Sequence, residues 1–403
     1  MKQDREELLK EAADILSQKF NTDIEIKSSE VLSNEGRRNF VLRIYLDNSS
    51  GTVPLTIILK QSLIEKSSND DKLALGRFAR DWAGLECLNG KTIAPEFYGG
   101  SIKSRFILLE DLGSDLMTLV DHLMSDDLLA ATNALHRYMK VMAQFHGIGH
   151  KNIAHYLPMI QKIYPTVPLW QDDYEEMLAK VKTILEKLNI NWTESLESEM
   201  NQVLKLVKEP NPFTSLMHGD ICPDNVIDYP FAQKMKIIDF EWSYVGNALL
   251  DAIYLRMYMP TCWCVKAFPD DVIEQGEELY RKELIKYIPI AADDEVYFKH
   301  YIAACAYTIF WRLQNIEYVL DHELSQEDLE RFVPPKWKAE HNIQRPRNLM
   351  RLEQFMTVAK RHDSFPHTRA MAEAVLDELR KRWQDSQPME FYPVFNSKKQ
   401  EIE

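Results

Sequence analysis

The chain has 403 residues, more than one hydrophobic core usually organises, so two lobes or domains are expected. Its 45% hydrophobic and 27% charged residues are typical of a soluble globular protein, and the formal net charge of −14 disfavours nucleic acid as a partner, because an acidic surface repels phosphates. No stretch approaches the ~20 consecutive apolar residues of a membrane helix. The amphipathic start MKQDREELLKEAADIL has no apolar signal core. We therefore expect a cytoplasmic protein without a membrane partner.

The first 110 residues are predicted to form a small antiparallel sheet crossed by one helix. Apolar residues at helical spacing predict a helix over the first ~20 residues. The alternation of apolar and polar residues predicts strands at Ile24–Ile26, Asn39–Leu46, Val53–Lys60, Phe97–Ser101 and Phe106–Leu109. The crossing helix is predicted through FARDWAGLECL, between the third and fourth strands.

After residue 110 the sequence becomes mainly helical. Helices are predicted at Leu128–His146, Glu175–Leu188 and Ser195–Lys208, then strands and loops from Pro212 to Glu241, and helices again from Asn247 to Gln384 with breaks at Val333–Pro335 and Arg345–Pro346. The expected division is a β-rich lobe over 1–110, a large α-helical lobe over 111–386 and a polar tail over 387–403. The fold class is therefore α+β with two lobes.

The stretch LMHGDICPDNVIDYPFAQKMKIIDFE, residues 216–241, carries the most informative motif. It contains H-G-D-x-x-x-x-N, with Asp220 and Asn225, and Asp239 follows 14 residues later. Transfer of a phosphoryl group from ATP requires positioned metal ions and an acceptor hydroxyl held in line. A carboxylate can orient that hydroxyl and take its proton, while an amide oxygen and a second carboxylate can bind Mg²⁺. The alternative, a simple turn followed by a buried strand end, would have to match this order of residue types by chance.

This motif resembles that of the aminoglycoside phosphotransferase and choline/ethanolamine kinase superfamily. The resemblance is carried by HGDICPDN and IIDFE, and it implies a protein-kinase-like two-lobed fold. It also implies that Asp220 is the catalytic base or hydroxyl-orienting residue and that Asn225 and Asp239 bind Mg²⁺. Gly219 stands where protein kinases have Arg, which favours small molecules as acceptors. Asp251 matches a family aspartate that supports the loop.

The same resemblance implies that a lysine and a carboxylate position the ATP phosphates. Lys60 closes the apolar run VPLTIILK at the end of a predicted strand, where a lysine reaches the α- and β-phosphates. Asp81, just before W-A-G-L, is the expected carboxylate partner, although most relatives carry Glu there. Glu86 on the same helix is the alternative partner, and a solvated strand end is the alternative for Lys60.

Two further segments match nucleotide-binding positions of the family. SNEGRRNFVLRI fits the loop that covers the phosphates, with Asn39 at the polar position, although an ordinary hairpin turn explains this segment equally well. FILLEDLG resembles the hinge between lobes, where the backbone of Glu110 and Leu112 would bind adenine.

The acceptor is predicted to bind near Glu241 and Trp242, which follow the metal-binding aspartate. A carboxylate beside an aromatic ring suits an ammonium group, so an amino alcohol or another cationic acceptor is our hypothesis. Glu241 could instead only brace the metal-binding loop, and the aromatic residues of the second lobe fit a helical core. Sugars, macrolides and other alcohols also remain open.

Two other functions compete with a small-molecule kinase. A nucleotide-binding pseudokinase or regulatory module would lack transfer activity, but the expected catalytic side chains are present apart from Asp at position 81. A protein kinase would carry H-R-D, D-F-G and A-P-E, and this set is missing. The five cysteines, Cys87, Cys222, Cys262, Cys264 and Cys305, are predicted to be reduced, buried thiols. The oligomeric state is not indicated.

Overall fold

The computed structural model describes residues 5–33, 38–47, 51, 53–64, 67–167, 173–262, 265–320 and 344–396. The chain divides into two compact units. Unit 1 consists of residues 1–116, 151–169 and 235–244, and unit 2 consists of residues 117–150, 170–234 and 245–403. The predicted break at Val333–Pro335, the residue Cys264 and the end of the predicted tail from residue 397 lie outside the described residues.

Unit 1 is built on a five-stranded antiparallel sheet with the strand order β1-β2-β3-β5-β4. Its elements are α1 (Arg5–Phe20), β1 (Ile26–Val31), β2 (Asn39–Leu46), β3 (Thr56–Ser62), α2 (Ser68–Cys87), β4 (Phe97–Ser101) and β5 (Phe106–Glu110). The small antiparallel sheet and the mainly helical remainder of the chain confirm the predicted α+β fold.

The two faces of this sheet differ because side chains alternate along each strand. Leu42 on β2 and Leu59 on β3 are fully buried, in one core with Leu8, Ala12 and Leu16 of α1. The residues next to them in sequence therefore point to the opposite face. This alternation places Lys60 on the face away from α1.

Two strands of unit 1 differ from their predicted bounds by more than one residue. The first strand is Ile26–Val31 rather than Ile24–Ile26, because β1 is an edge strand whose exposed polar residues give no apolar alternation. The third strand begins at Thr56 rather than Val53, and Pro54, which has no N–H to donate to a sheet, precedes it.

Unit 2 consists mainly of helices. Its helices are α3 (Leu119–Leu123), the first part of α4 (Leu128–Ile163), α5 (Tyr174–Lys187), α6 (Glu194–Val207), α7 (Leu249–Ala252), α8 (Asp270–Leu284), α9 (Asp294–Leu313), α10 (Glu317–Leu320), α11 (Gln344–Arg361) and α12 (Pro366–Arg382). The short strands that follow β5 in the chain are β6 (Met117–Thr118), β7 (Thr214–Met217), β8 (Val226–Tyr229), β9 (Lys234–Ile237) and β10 (Tyr244–Asn247). In the described part of the chain, no helix combines the length and the apolar character that a membrane crossing requires.

The helix α4 is longer than predicted, since it continues past His146 to Ile163. Gly147 interrupts the apolar pattern, but it does not end the helix. It allows the side chain of Tyr287 to pack closely against the helix backbone. A Cβ atom there would lie 2.1 Å from the Cγ atom of Tyr287, so only glycine allows this approach. The predicted break at Arg345–Pro346 is instead the first turn of α11, where a proline needs no N–H partner.

The segment predicted as a polar tail packs into unit 2 over residues 389–396. Tyr392 and Phe395 are fully buried, and the ring centroid of Tyr392 lies 4.9 Å from that of Phe268. The backbone N–H of Ala267 donates to the carbonyl of Glu390 at 2.8 Å. The short apolar run FYPVF therefore belongs to the core, although polar residues surround it in the sequence.

Candidate functional site

Unit 1 contains a cavity of about 540 Å³ on the face of β2 and β3 that carries Lys60. Seven of the predicted binding residues line this cavity: Asn39, Lys60, Asp81, Glu110, Leu112, Asp239 and Glu241. Trp242 is half-buried in the 3-10 turn Phe240–Trp242 and is not among the residues that line the cavity. The structure therefore brings together the predicted nucleotide-binding residues of unit 1.

The ammonium group of Lys60 lies between two carboxylates. Its Nζ atom is 2.7 Å from Oδ2 of Asp81 and 2.6 Å from Oδ1 of Asp239. The side chain of Asp81 is 5% exposed, whereas that of Asp239 is 37% exposed. Glu86 is exposed and accepts a hydrogen bond from the indole of Trp82 at 2.8 Å. Asp81, rather than Glu86, is the helix carboxylate that contacts Lys60.

The charges around Lys60 determine its protonation. Burial alone would lower the pKa of Lys60, but the carboxylates of Asp239, Asp81 and Glu241 outweigh burial and raise the pKa well above its usual value. Burial raises the pKa of Asp81, and Lys60 opposes this effect. Lys60 therefore carries its positive charge at neutral pH, which is the state that a phosphate-binding lysine needs.

Asp81 also fixes the backbone after Asp239. Its Oδ1 atom accepts a hydrogen bond from the N–H of Phe240 at 3.0 Å. Asp239 itself has a φ of +68°, a left-handed conformation that non-glycine residues rarely adopt. A strained conformation of this kind persists only where the surroundings impose it, and such residues cluster at functional sites.

Arginine side chains occupy two further positions at the cavity. Nη2 of Arg38 lies 3.1 Å from Oε1 of Glu241, a carboxylate that is almost fully buried, and Arg38 itself is half exposed. Arg43 donates to Oδ2 of Asp111 at 2.6 Å. The cavity wall thus carries two guanidinium groups in addition to Lys60.

The loop after β7 in unit 2 carries the H-G-D-x-x-x-x-N motif. Gly219 has a φ of +76°, which favours glycine over the Arg of protein kinases. Oδ1 of Asp220 accepts hydrogen bonds from Oγ1 of Thr261 at 2.7 Å and from Sγ of Cys222 at 3.0 Å. Nδ2 of Asn225 donates to the backbone carbonyl of Asp220 at 2.9 Å, which leaves the amide oxygen for another partner.

A buried hydrogen-bond network supports this loop from behind. Oδ2 of Asp251 accepts from the backbone N–H of His218 at 3.2 Å and lies 3.1 Å from Nε2 of His146. Nδ1 of His146 is 2.7 Å from the hydroxyl of Tyr280. Asp251 therefore contacts the loop backbone, and His146 and Tyr280 extend this network behind it.

Neither Thr261 nor Arg43 is indicated as a site residue by the sequence motifs, whereas Arg38 belongs to the segment SNEGRRNFVLRI, in which an arginine is expected to assist phosphate binding. Thr261 follows Asp220 by 41 residues and belongs to no motif, so only the fold reveals its contact. Arg43 could have been found, because it alternates with Asn39 and Val41 along β2 and must share their face of the sheet.

A family model described as the ecdysteroid kinase-like family matches residues 75–262, or 188 of the 403 residues. The matched range includes Asp81, Asp220, Asn225 and Asp239. The match confirms the predicted resemblance to kinase-like phosphotransferases and the predicted class of a kinase-type enzyme. No curated protein matches the sequence.

Several solved structures share a distant likeness with the chain. An ethanolamine kinase from Plasmodium vivax is 14% identical, with 82% of this chain and 82% of that chain covered and a TM-score of 0.41. The choline kinase LicA from Streptococcus pneumoniae is 14% identical, with 86% and 99% covered and a TM-score of 0.40. The amicoumacin kinase hAmiN, solved with AMP-PNP, Ca²⁺ and Ami, is 12% identical, with 89% and 94% covered and a TM-score of 0.45.

Proposed function

We propose that the chain transfers the γ-phosphoryl group of ATP to a hydroxyl group of a small molecule and requires Mg²⁺. The observation that carries this proposal is the position of Lys60 between Asp81 and Asp239 at the wall of the unit 1 cavity. A charged lysine held by carboxylates, beside a cavity large enough for a nucleotide, suits the binding of phosphates.

The cavity has two kinds of wall that fit the two ends of ATP. Its apolar side chains, which suit the flat faces of a purine base, are Val41, Ile58, Leu85 and Leu109. Glu110 ends β5 and Leu112 follows it at the same cavity, where their backbone groups would bind the adenine edge. Lys60 and Arg38 provide positive charge for the phosphates.

Asp239 and Asn225 have the donor atoms that Mg²⁺ prefers. Asp239 offers a partly exposed carboxylate, and Asn225 keeps its amide oxygen because its amide nitrogen bonds the Asp220 carbonyl. Carboxylate and amide oxygens are the ligands that suit a hard cation. When bound, Mg²⁺ would neutralise charge on the phosphates.

Asp220 has the arrangement of a residue that orients an acceptor hydroxyl. Two donors, Thr261 and Cys222, hold its Oδ1 atom. Among the described residues none donates a hydrogen bond to its Oδ2 atom, which can therefore accept the proton of the acceptor hydroxyl.

The acceptor is a small alcohol in this proposal, and its charge is a separate question. Glu241 has Arg38 at 3.1 Å and Arg77 at 4.0 Å, so cations already surround this carboxylate. We therefore assign Glu241 to the positioning of Arg38 rather than to an ammonium group of the acceptor. The name of the matched family makes an ecdysteroid one candidate acceptor, beside amino alcohols and their neutral isosteres.

The proposal is tested by ATP turnover in the presence of Mg²⁺ and a panel of these acceptors. Asp220→Asn should lower kcat by roughly 10²–10⁴, because the amide cannot take a proton. ATP·Mg²⁺ should still raise the melting temperature of this variant, because the nucleotide-binding residues are unchanged.

Glu186→Gln is the matched control, since Glu186 is an exposed carboxylate on α5. This variant should turn over ATP at the wild-type rate. Thermal stabilisation by ATP·Mg²⁺ without turnover for any acceptor would instead favour the pseudokinase alternative. Unchanged kcat in Asp220→Asn would contradict the role of Asp220.

A further inference from the structure

A group of potential soft metal ligands lies beside Asp220 in unit 2. One ligand atom each from Cys222, Asp224 and Cys262 lie within 4.8 Å of one another. Cys222 and Asp224 belong to the loop that carries the catalytic motif, whereas Cys262 approaches from a segment 40 residues further along the chain. The fold therefore brings two thiols that are far apart in the sequence into one cluster.

The cluster differs from an ordinary pair of buried cysteines in having carboxylates next to it. The residues Cys222 and Cys262 are 2% and 1% exposed. Sγ of Cys222 lies 3.0 Å from Oδ1 of Asp220, so a second carboxylate lies next to this thiol of the cluster. Both aspartates are partly exposed.

The sulfur and carboxylate oxygen atoms of the cluster favour thiophilic divalent cations. Two sulfur atoms with one or two carboxylate oxygens can surround Zn²⁺ in its usual tetrahedral geometry, at about 2.3 Å for sulfur and about 2.0–2.2 Å for oxygen. Mg²⁺ prefers oxygen ligands alone, so it should not compete at the thiols. Small side-chain adjustments suffice, because the ligand atoms already lie within 4.8 Å of one another.

The surroundings of Cys222 favour the protonated thiol in the free protein. Burial raises the pKa of the Cys222 thiol, and the neighbouring Cys262 thiol and carboxylates add to this effect. Zinc binding must then release one proton to solvent from each thiol that becomes a ligand. Arg347, which interacts electrostatically with both cysteines, would balance part of the thiolate charge.

We propose that Cys222, Asp224 and Cys262 form a binding site for a thiophilic divalent cation such as Zn²⁺, with Asp220 as the adjacent fourth ligand. The binding of the metal does not depend on the proposed function. Its consequence does, because a metal held by Asp220 would prevent that carboxylate from receiving the hydroxyl proton. Zn²⁺ is therefore expected to inhibit phosphoryl transfer.

Binding is measured first, on the full chain and without substrates. Competition with a chromophoric zinc chelator should show one site per chain that an excess of Mg²⁺ does not displace. Cd²⁺ as a probe should produce the ultraviolet absorption of a metal–thiolate bond. Cys222→Ser and Cys262→Ala should each weaken binding at least 10-fold, because each removes a sulfur ligand.

Cys305→Ser is the matched control, since Cys305 is a buried free thiol on α9 outside the cluster. It should keep the zinc affinity and the Cd²⁺ absorption of the wild type. Equal zinc affinity in the wild type, Cys222→Ser and Cys262→Ala would overturn the site. The two cysteine variants test it independently, so misfolding of one does not remove the test.

Inhibition is measured second, in each variant with and without Zn²⁺ at saturating ATP·Mg²⁺. The rate should fall in the wild type and in Cys305→Ser but not in Cys262→Ala. Zinc binding without this difference would retain the site and overturn its inhibitory effect. If no acceptor is phosphorylated, the binding experiment still decides whether the metal site exists, so the two proposals fail separately.

Discussion

The side chain of Lys60 has two carboxylate neighbours that come from different parts of the chain. Asp81 is 21 residues away in sequence and Asp239 is 179 residues away. The contact with Asp81 could be predicted from the motif, because the acidic residue before W-A-G-L marks the helix position. The contact with Asp239 depends on how the later segment packs against α2, which no local pattern indicates.

The energetic coupling of Lys60 with Asp81 gives a first prediction at the residue scale. Because both groups are largely buried, removing Lys60 leaves the Asp81 carboxylate without its counter-ion, whereas removing Asp81 leaves Lys60 with Asp239 alone. Removing both should therefore cost less than the sum of the two single changes. Lys60→Ala and Asp81→Ala should show a coupling energy of at least about 1 kcal/mol in urea unfolding. Each single variant should also weaken ATP·Mg²⁺ binding.

The same cycle with Glu86→Ala in place of Asp81→Ala serves as the control. Glu86 bonds Trp82 and is exposed, so its effects should add to those of Lys60→Ala within about 0.5 kcal/mol. Coupling of Lys60 to Glu86, with none to Asp81, would reverse the assignment.

Among the secondary-structure elements of unit 1, α2 makes a close contact with the turn after Asp239. A Cβ atom added at Gly84 would lie 2.8 Å from Cβ of Phe240, and Asp81 on the same helix bonds the N–H of Phe240. The helix therefore sets the position of the turn, and with it the position of the Asp239 carboxylate.

Substitution of Gly84 tests this contact. Gly84→Ala should destabilise the protein by about 1–3 kcal/mol, because overpacking must push the turn away from the helix. It should also weaken ATP·Mg²⁺ binding, because the turn carries Asp239. Stability follows from urea unfolding and binding from calorimetry.

Gly76→Ala is the control on the same helix. Its added Cβ atom would meet only the flexible end of Arg80, at 3.2 Å. Alanine is also a better helix former than glycine by roughly 0.5–1 kcal/mol, so this variant should be neutral or stabilising. Equal losses in both variants would show that helix propensity, and not the contact with Phe240, determines the result.

The sequence predicted some elements better than others for reasons that particular residues make clear. The bounds Asn39–Leu46 and Phe97–Ser101 agree with the structure, since these strands lie between clear turn residues. The structure extends α4 beyond the predicted end at His146, because Gly147, a residue type that weakens a helix prediction, packs against Tyr287 inside the helix. Local patterns do not contain such long-range contacts.

At the scale of the whole molecule, the closing segment of the described chain belongs to the core of unit 2. Tyr392 and Phe395 are fully buried against Phe268, more than 120 residues earlier. A polar composition around FYPVF predicted a tail, because five residues are too few for periodicity to show burial.

The contribution of this segment to stability can be measured by comparing a Phe→Ala substitution in the segment with the same substitution at an exposed position. Phe395→Ala should lower the free energy of unfolding by about 3–5 kcal/mol, because it opens a cavity in a packed core. Phe231→Ala, in the same unit, should change it by no more than about 0.5 kcal/mol, since Phe231 is fully exposed. Similar losses at both positions would mean that residues 389–396 do not contribute to the core.

The salt bridge between Lys60 and Asp239 should couple the affinities for the two proposed ligands, the divalent metal ion and the nucleotide. In the structure the lysine ammonium occupies a position on the Asp239 carboxylate that a divalent cation would also use. A divalent cation that binds without nucleotide must displace Lys60 from Asp239 and leave the lysine without this counter-ion. When the nucleotide is bound, its phosphates can pair with Lys60 in place of Asp239. Metal and nucleotide should therefore bind with positive heterotropic cooperativity, and because such coupling is reciprocal, each ligand should raise the affinity for the other by the same factor.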